Sequence, residues 1–287
     1  VSVVVVSHNE GDNLRRTVCS LLAGLPADGE ILVVDDGSTD GSAEALTGGY
    51  GGVSVLRPAE RLGAPAARNF GGARARGEVI VFSDAHMEVP LYWFAPLRDA
   101  LARPVVGAAS PVVSVMQQRD SKGYGFHWRD AAFTVEWLGR QGADPYPVPM
   151  LSGCFVALRR ELFAAIGGFD PGLVLWGMED AELCLRLWTL GYECLVVPAL
   201  DVAHLFRSAH GYPVDWEVVL HNMLRVAVVH FGADRLGRVV CCLCTHTAFP
   251  AAFARLAESD AWARRAAVRA ARRHDDQWFF HHFGMTC

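Results

Sequence analysis

Asp84 and His86 end the stretch VFSDAH, in which apolar strand-forming residues run into a carboxylate, one small residue and an imidazole. In an extended segment, residues two apart point to the same side, so these two groups can converge on one object beyond the strand end. That object is a metal ion or a proton in transit, with a plain surface loop as the alternative reading. Two other polar groups have the same setting. Ser7, His8, Asn9 and Glu10 follow the run VSVVVV, and Asp35 with Asp36 follows EILVV. Aspartates are also common in turns after strands, so Asp35 and Asp36 taken alone are compatible with nothing more than a turn.

The elements that must position these groups alternate in a regular way. Continuous β-branched runs such as VSVVVV mark strands buried on both faces, as parallel sheets require. A helical stripe through Leu14, Val18, Leu21 and Leu22 follows the first, and strand and helix keep alternating as far as His86. The pattern predicts an α/β fold, doubly wound, with a mostly parallel central sheet flanked by helices. Ligands of such sheets bind beyond the carboxyl ends of the strands. The three polar clusters all fall there, on one rim, which favours the ligand reading of Asp84 and His86.

The second half is less regular. PVVSVM and MLSGCFVALRR read as strands around an aromatic-rich loop (Tyr124, Phe126, Trp128, Phe133, Trp137), either a packed layer or a binding groove. A helix is expected from about Glu179, then the strand CLVVP, then a polar loop VAHLFRSAHGYP. Trp188 reads as core. From Trp216 the chain reads as mostly helical. We expect one catalytic domain over 1–215, with a nucleotide-binding half at about 1–90 and an acceptor and sugar half at about 91–215. Residues 216–287 would form a helical extension packed on it.

Composition narrows the class. Of 287 residues, 52% are apolar and 20% charged, which suits a compact globular chain. A net charge of −5 excludes a general nucleic-acid binder. No apolar run reaches the roughly 18 residues of a membrane span, while the start at Val1 rather than methionine is compatible with a trimmed signal or anchor. Arginine displaces lysine almost completely, Lys122 standing alone. The cysteines show no paired zinc spacing, so Cys241, Cys242 and Cys244 read as buried free thiols of a reducing compartment. Together these traits lead us to expect a cytoplasmic, bacterial protein.

VVDDGSTD, the Asp-x-His of SDAH, GGFDPGLVLWGMED and HLFR, in that order, resemble nucleotide-sugar glycosyltransferases of the GT-A fold. The likeness is greatest to the catalytic domain of polypeptide N-acetylgalactosaminyltransferases, and extends to family 2 glycosyltransferases. It covers roughly the first four-fifths of the chain. It implies a GT-A, Rossmann-like domain that moves a hexose or N-acetylhexosamine from a UDP-sugar to an acceptor on a peptide, glycan or small metabolite. Asp84, His86 and His204 would hold a divalent cation. One carboxylate and two imidazoles suit manganese better than magnesium, which prefers oxygen throughout. The matching motifs put His8, Asn9, Glu10, Asp35 and Arg68 at the nucleotide, Asp35 and Arg68 on a solvent-facing rim. Arg207 would meet a phosphate, and His210 and Tyr212 would close over it. Ser152 and Gly153 look like the small residues that let a sugar approach the backbone. Trp176 offers a flat apolar face to a sugar, with Glu179 and Asp180 as acceptors for its hydroxyls. Both carboxylates would also start a helix well, worth up to about 1 kcal/mol.

The family's Trp-Gly-Gly-Glu-Asn stands here as Trp176-Gly177-Met178-Glu179-Asp180. Exchanging the amide for a carboxylate supplies a proton acceptor, so Asp180 is expected to act as base with inversion, Glu179 holding a hydroxyl. The HLFRSAHGY loop instead resembles the retaining relatives, in which the leaving phosphate assists the nucleophile and Asp180 would only position the substrate. A catalytically idle nucleotide-sugar-binding homologue is the competing reading. The intact Asp84, His86, His204, Glu179 and Asp180 set argues against it. A nucleotidyltransferase would want a Gly-rich, basic phosphate loop near the start, which SHNEGDNL does not supply.

Overall fold

The computed structural model describes residues 1–207 and 214–285. Its first half follows the expected alternation except after β2, where a single 3-10 turn (Glu44–Leu46) stands in place of a helix: β1 (Ser2–Ser7), α1 (Asp12–Ala23), β2 (Glu30–Asp35), β3 (Val53–Leu56), α2 (Ala64–Gly72) and β4 (Val79–Asp84). Strands β4, β1, β2 and β3 lie side by side and parallel, Ser7 facing Asp35 and Val6 facing Asp84. This register brings the three polar strand ends onto one edge. Alternate residues of the strands feed two cores. Val3, Val5, Ile31 and Val33 pack with Leu14, Val18 and Leu21 of α1, whereas Val4, Val34 and Phe82 pack on the opposite face with Ala67 of α2. Both faces are covered, hence the unbroken valine runs.

The rest of the sheet comes from β5 (Met87–Glu88), α3 (Phe94–Leu101), β6 (Val106–Val115) and β7 (Gln118–Gly123). A two-stranded ribbon follows, β8 (Phe126–Trp128) with β9 (Val135–Trp137), then β10 (Tyr146–Pro147), β11 (Phe155–Arg159), α4 (Arg160–Ala165), α5 (Glu179–Leu190) and β12 (Glu193–His204). The order is β10-β12-β6-β11-β4-β1-β2-β3. β11 is antiparallel to both β4 and β6, and β12 runs parallel to β6. Together with the parallel first half, this gives a mostly parallel central sheet flanked by helices, as expected.

Two expectations need correction here. The segment around His204 reads as a polar loop, yet β12 runs on through His204, because a register shift between Val197 and Asp201 lets the strand resume pairing with β6 beyond Pro198. The aromatic segment is a ribbon rather than a loop. Phe126, Trp128 and Phe133 are buried, while Trp137 is exposed.

The C-terminal part holds α6 (Trp216–His230), α7 (Ala233–Leu243), α8 (Phe249–Glu258), α9 (Ala261–Ala271) and α10 (Asp276–His282). α6 packs against α7, α8 and α9, and α10 lies on α5, where the buried Trp188 meets Phe283. Cys154, Cys184 and Cys194 are buried, but Cys241, Cys242 and Cys244, expected to be buried, are exposed. α7 turns Val239 and Leu243, one helical turn apart, into the core, and so points Cys241 and Cys242 outward. No helix among the described residues is long and apolar enough to cross a membrane.

Candidate active site

Asp84 ends β4 and His86 follows it; His204 ends β12, which β5 holds beside them through the pairing of His204 with Met87. One ligand atom of each lies within 4.8 Å of the others. His204 Nε2 is 3.4 Å from Asp84 Oδ2, and the two imidazole rings are 4.7 Å apart. That spread is close to what ligands about 2.0–2.3 Å from a single ion have. The donor set, one carboxylate and two imidazoles, therefore fits a divalent transition ion. Burial alone would raise the Asp84 pKa, but His204, Arg68 and His86 outweigh it and hold this carboxyl well below the ordinary range. Asp84 is thus ionised and ready to ligate.

The cluster opens into a cleft of about 710 Å³, lined by His8, Glu10, Asp36, Arg61, Arg68, Ser152, Gly153, Trp176, Glu179, Asp180 and Arg207 among others. Glu10 sits between His86 and Arg207: its Oε1 is 3.2 Å from His86 Nδ1, and its other oxygen accepts from Arg207. His8 Nδ1 lies 2.9 Å from the Asp36 carbonyl. Asn9 and Asp35 do not line the cleft. Asn9 accepts from the Thr39 amide at 2.7 Å, and Asp35 accepts from the Ser38 amide and Arg57, so both shape the turn after β2. His210 and Tyr212 lie outside the described residues.

The expectation of a solvent-facing rim for Asp35 and Arg68 is wrong. Asp35 is buried, and Arg68 is 3% exposed, its guanidinium bonded to Glu179, Asp84 and the Gly153 carbonyl. A buried guanidinium needs such partners, and they come from three distant parts of the chain. Gly153 lines the cleft beside Arg68 and Asp180. A Cβ there would stand 2.9 Å from the Asp180 side chain, so the glycine makes room for that carboxylate in the cleft wall.

α5 begins in the wall of this cleft. Glu179 accepts from Arg68 at 2.7 Å and from the Gly177 amide at 3.0 Å. Asp180 accepts from the amides of Gly153 and Ala181 at 3.0 and 2.7 Å. Burial, with the Glu179 charge beside it, pushes the Asp180 pKa up to about 6. The loop before α5 takes left-handed backbone at Leu175, Gly177 and Met178. Asn222 of α6 pins it, donating to the carbonyls of Val174, Trp176 and Gly177 and accepting from the Val174 amide. Sequence reasoning missed Asn222; the one signal is an amide on the buried face of an apolar helix. Asp36, read from the sequence as either a ligand-rim or a turn residue, lines the cleft and accepts from the Leu62 and Gly63 amides at 2.6 and 2.9 Å, fixing the entry to α2. A second, more apolar cavity of about 270 Å³ adjoins the cleft, sharing Ser152, Trp176, Glu179 and Asp180, with Phe126, Trp137 and Met223 on its far wall.

Compared with known proteins, residues 2–167 match the family described as glycosyl transferase family 2, and residues 142–211 match the N-terminal domain of galactosyltransferase. A putative polypeptide N-acetylgalactosaminyltransferase 13 of Drosophila melanogaster is 34% identical over 240 residues, 74% of this chain and 42% of its own. Polypeptide N-acetylgalactosaminyltransferase 15 of Homo sapiens is 32% identical over 254 residues, 81% of this chain and 40% of its own. The chain thus spans about two-fifths of the curated relatives it matches. The crystal structure of GalNAc-T7 with UDP, GalNAc and Mn2+ superposes with a TM-score of 0.82 at 26% identity, over 99% of this chain and 56% of that one. A mannosyltransferase of Pyrobaculum calidifontis in complex with GDP-Man and Mn2+ shares the fold, with a TM-score of 0.55 at 22% identity over 94% of this chain and 74% of that one. The curated relatives come from animals, which overturns the expectation of a bacterial, cytoplasmic protein.

Proposed function

The chain belongs to glycosyl transferase family 2, and from that premise we propose that it transfers a sugar from a UDP-sugar to an acceptor, with Mn2+ held by Asp84, His86 and His204. One observation carries the reading: a carboxylate and two imidazoles from two separate strand ends meet at the mouth of a cleft large enough for a sugar nucleotide. When bound, a divalent cation supplies positive charge to the diphosphate that leaves as the glycosidic bond breaks. The GalNAc-T7 complex, with UDP, GalNAc and Mn2+, makes an N-acetylhexosamine the first donor to try.

The chain's own groups take the remaining parts. On this reading His8 and Glu10, both in the cleft lining, take the nucleotide, and Arg207, paired with Glu10, meets a phosphate on the donor's arrival. Trp176, 43% exposed, offers its face to the sugar beside Ser152. Asp180 takes the acceptor's proton. Its pKa of about 6 leaves it mostly ionised at neutral pH yet basic enough to accept a proton, as an inverting mechanism requires of its base. Glu179 receives a sugar hydroxyl.

The test is UDP release from a panel of UDP-sugars with Mn2+, offering peptide, glycan and small hydroxylated acceptors. Acceptor-stimulated release with one donor supports transfer. Tight UDP binding without release from any donor would instead indicate the idle, binding-only homologue.

A further inference from the structure

Arg68, in the middle of α2, is surrounded by carboxylates that belong to two different parts of the site. Its Nη2 donates to Asp84 Oδ1 and to the Gly153 carbonyl, each at 3.0 Å, and its Nη1 donates to Glu179 Oε1 at 2.7 Å. Asp180 is bonded to the amide of the same Gly153. The guanidinium is clamped from behind by the ring of Phe169, 5.5 Å away.

The fork has a geometric consequence at each end. With Oδ1 of Asp84 held by Arg68, Oδ2 is the oxygen turned toward His204, 3.4 Å from its Nε2. Asp84 therefore presents one fixed oxygen to the cluster. At the other end, Glu179 is held between Arg68 and the Gly177 amide. One rigid, always charged group thus joins the end of β4 to the first turn of α5.

Resting on the metal reading above, we propose that Arg68 is a positioning residue that orients Asp84 for the cation and couples cation binding to Glu179. A bound cation draws on the charge of Asp84, and the guanidinium then leans on Glu179. By reciprocity, neutralising Glu179 leaves the full guanidinium charge on Asp84 and weakens the cation. Glu179 thereby influences an ion that it is not among the residues to hold.

The experiment is Mn2+ binding without nucleotide, followed as loss of the free-ion electron paramagnetic resonance signal, for wild type, Arg68→Lys, Glu179→Gln, the double variant and Asp84→Asn. Lysine keeps the charge but cannot make both ends of the fork, so Arg68→Lys should weaken Mn2+ by about 10- to 100-fold, the usual cost of losing an outer-shell partner. Glu179→Gln should weaken it by at least threefold in the wild-type background and much less once Arg68 is lysine. Equal effects of Glu179→Gln in both backgrounds, or unchanged affinity in Arg68→Lys, overturn the coupling. If Arg68→Lys fails to fold, Glu179→Gln alone decides, and an unchanged affinity overturns the proposal. Asp84→Asn separates the two levels: wild type that binds no Mn2+ removes the metal reading itself. Binding that is lost in Asp84→Asn but untouched by the other variants removes only the part assigned to Arg68.

Discussion

Replacing Asp180 by asparagine changes one oxygen to an amide group and nothing in volume. The carboxylate now accepts from two backbone amides, Gly153 at 3.0 Å and Ala181 at 2.7 Å, and an amide oxygen can serve only one of them. The cost at the start of α5 is about 1 kcal/mol, as for loss of a helix cap, and relief of the repulsion with Glu179 offsets part of it. The fold should therefore survive, and so should donor binding. What disappears is the proton acceptor. General-base assistance is worth about 10²- to 10⁴-fold, and kcat should fall by that much while the donor KM stays within about threefold. The pH profile gives a second reading. Because burial and Glu179 raise the Asp180 pKa to about 6, the ionised base is lost as pH falls through that value, and wild-type turnover should decline on the acid side near pH 6. In the variant this limb should vanish. UDP release across pH 5–9 measures both, and the anomeric coupling constant of the product gives the stereochemistry. A variant retaining more than a tenth of wild-type turnover, or an α product from an α-linked donor, would refute Asp180 as the base.

Other consequences follow from the supporting structure. Arg225 is fully buried and bonded twice to the buried Asp170, at 2.9 and 2.8 Å, so Arg225→Met leaves that carboxylate with only the Gly172 amide at 3.1 Å and Arg264 at 4.0 Å, and should cost about 3 kcal/mol in urea unfolding. Gly63 has a φ of +80°, and a Cβ there would stand 2.4 Å from Leu175 Cα. Gly63→Ala should force apart α2 and the loop before α5, seen as a lower melting temperature and weaker UDP binding by calorimetry. Burial would raise the Glu182 pKa, but Arg186 and His230 outweigh it and hold it well below the usual range. A depressed carboxylate stabilises the fold above its unfolded pKa and loses that effect as pH falls through its folded one. Glu182→Gln should accordingly flatten the acid-side fall in melting temperature while lowering stability at neutral pH.

The parallel half of the fold was legible because burial on both faces leaves a direct mark, the continuous runs around Val4, Val33 and Val81. Strand periodicity pointed to a meeting of Asp84 with His86, although β4 ends at Asp84 and the chain bends at 85–86 to bring them together, and the resemblance pointed to His204. Pairings between distant segments leave no such local mark. Nothing near Arg68 in the chain announces Glu179 or Gly153, so a buried hub was mistaken for a rim residue. The hold of Asn222 on the loop around Trp176 joins residues more than forty apart. The antiparallel insertion of β11 between β4 and β6 is equally silent, since a strand buried on both sides has the same composition in either direction. The exposed Cys241 and Cys242 were misjudged because a cysteine among apolar neighbours in sequence need not share their helix face.

The central claim is that Asp84, His86 and His204 act together through one divalent ion. Stripping the protein with EDTA and adding Mn2+ back, while following UDP release, addresses it directly. Turnover should disappear on chelation and return with Mn2+ in wild type, and each of Asp84→Ala, His86→Ala and His204→Ala should lose most turnover at Mn2+ concentrations that saturate wild type. Full activity in EDTA, or wild-type turnover in any of the three variants, would contradict it.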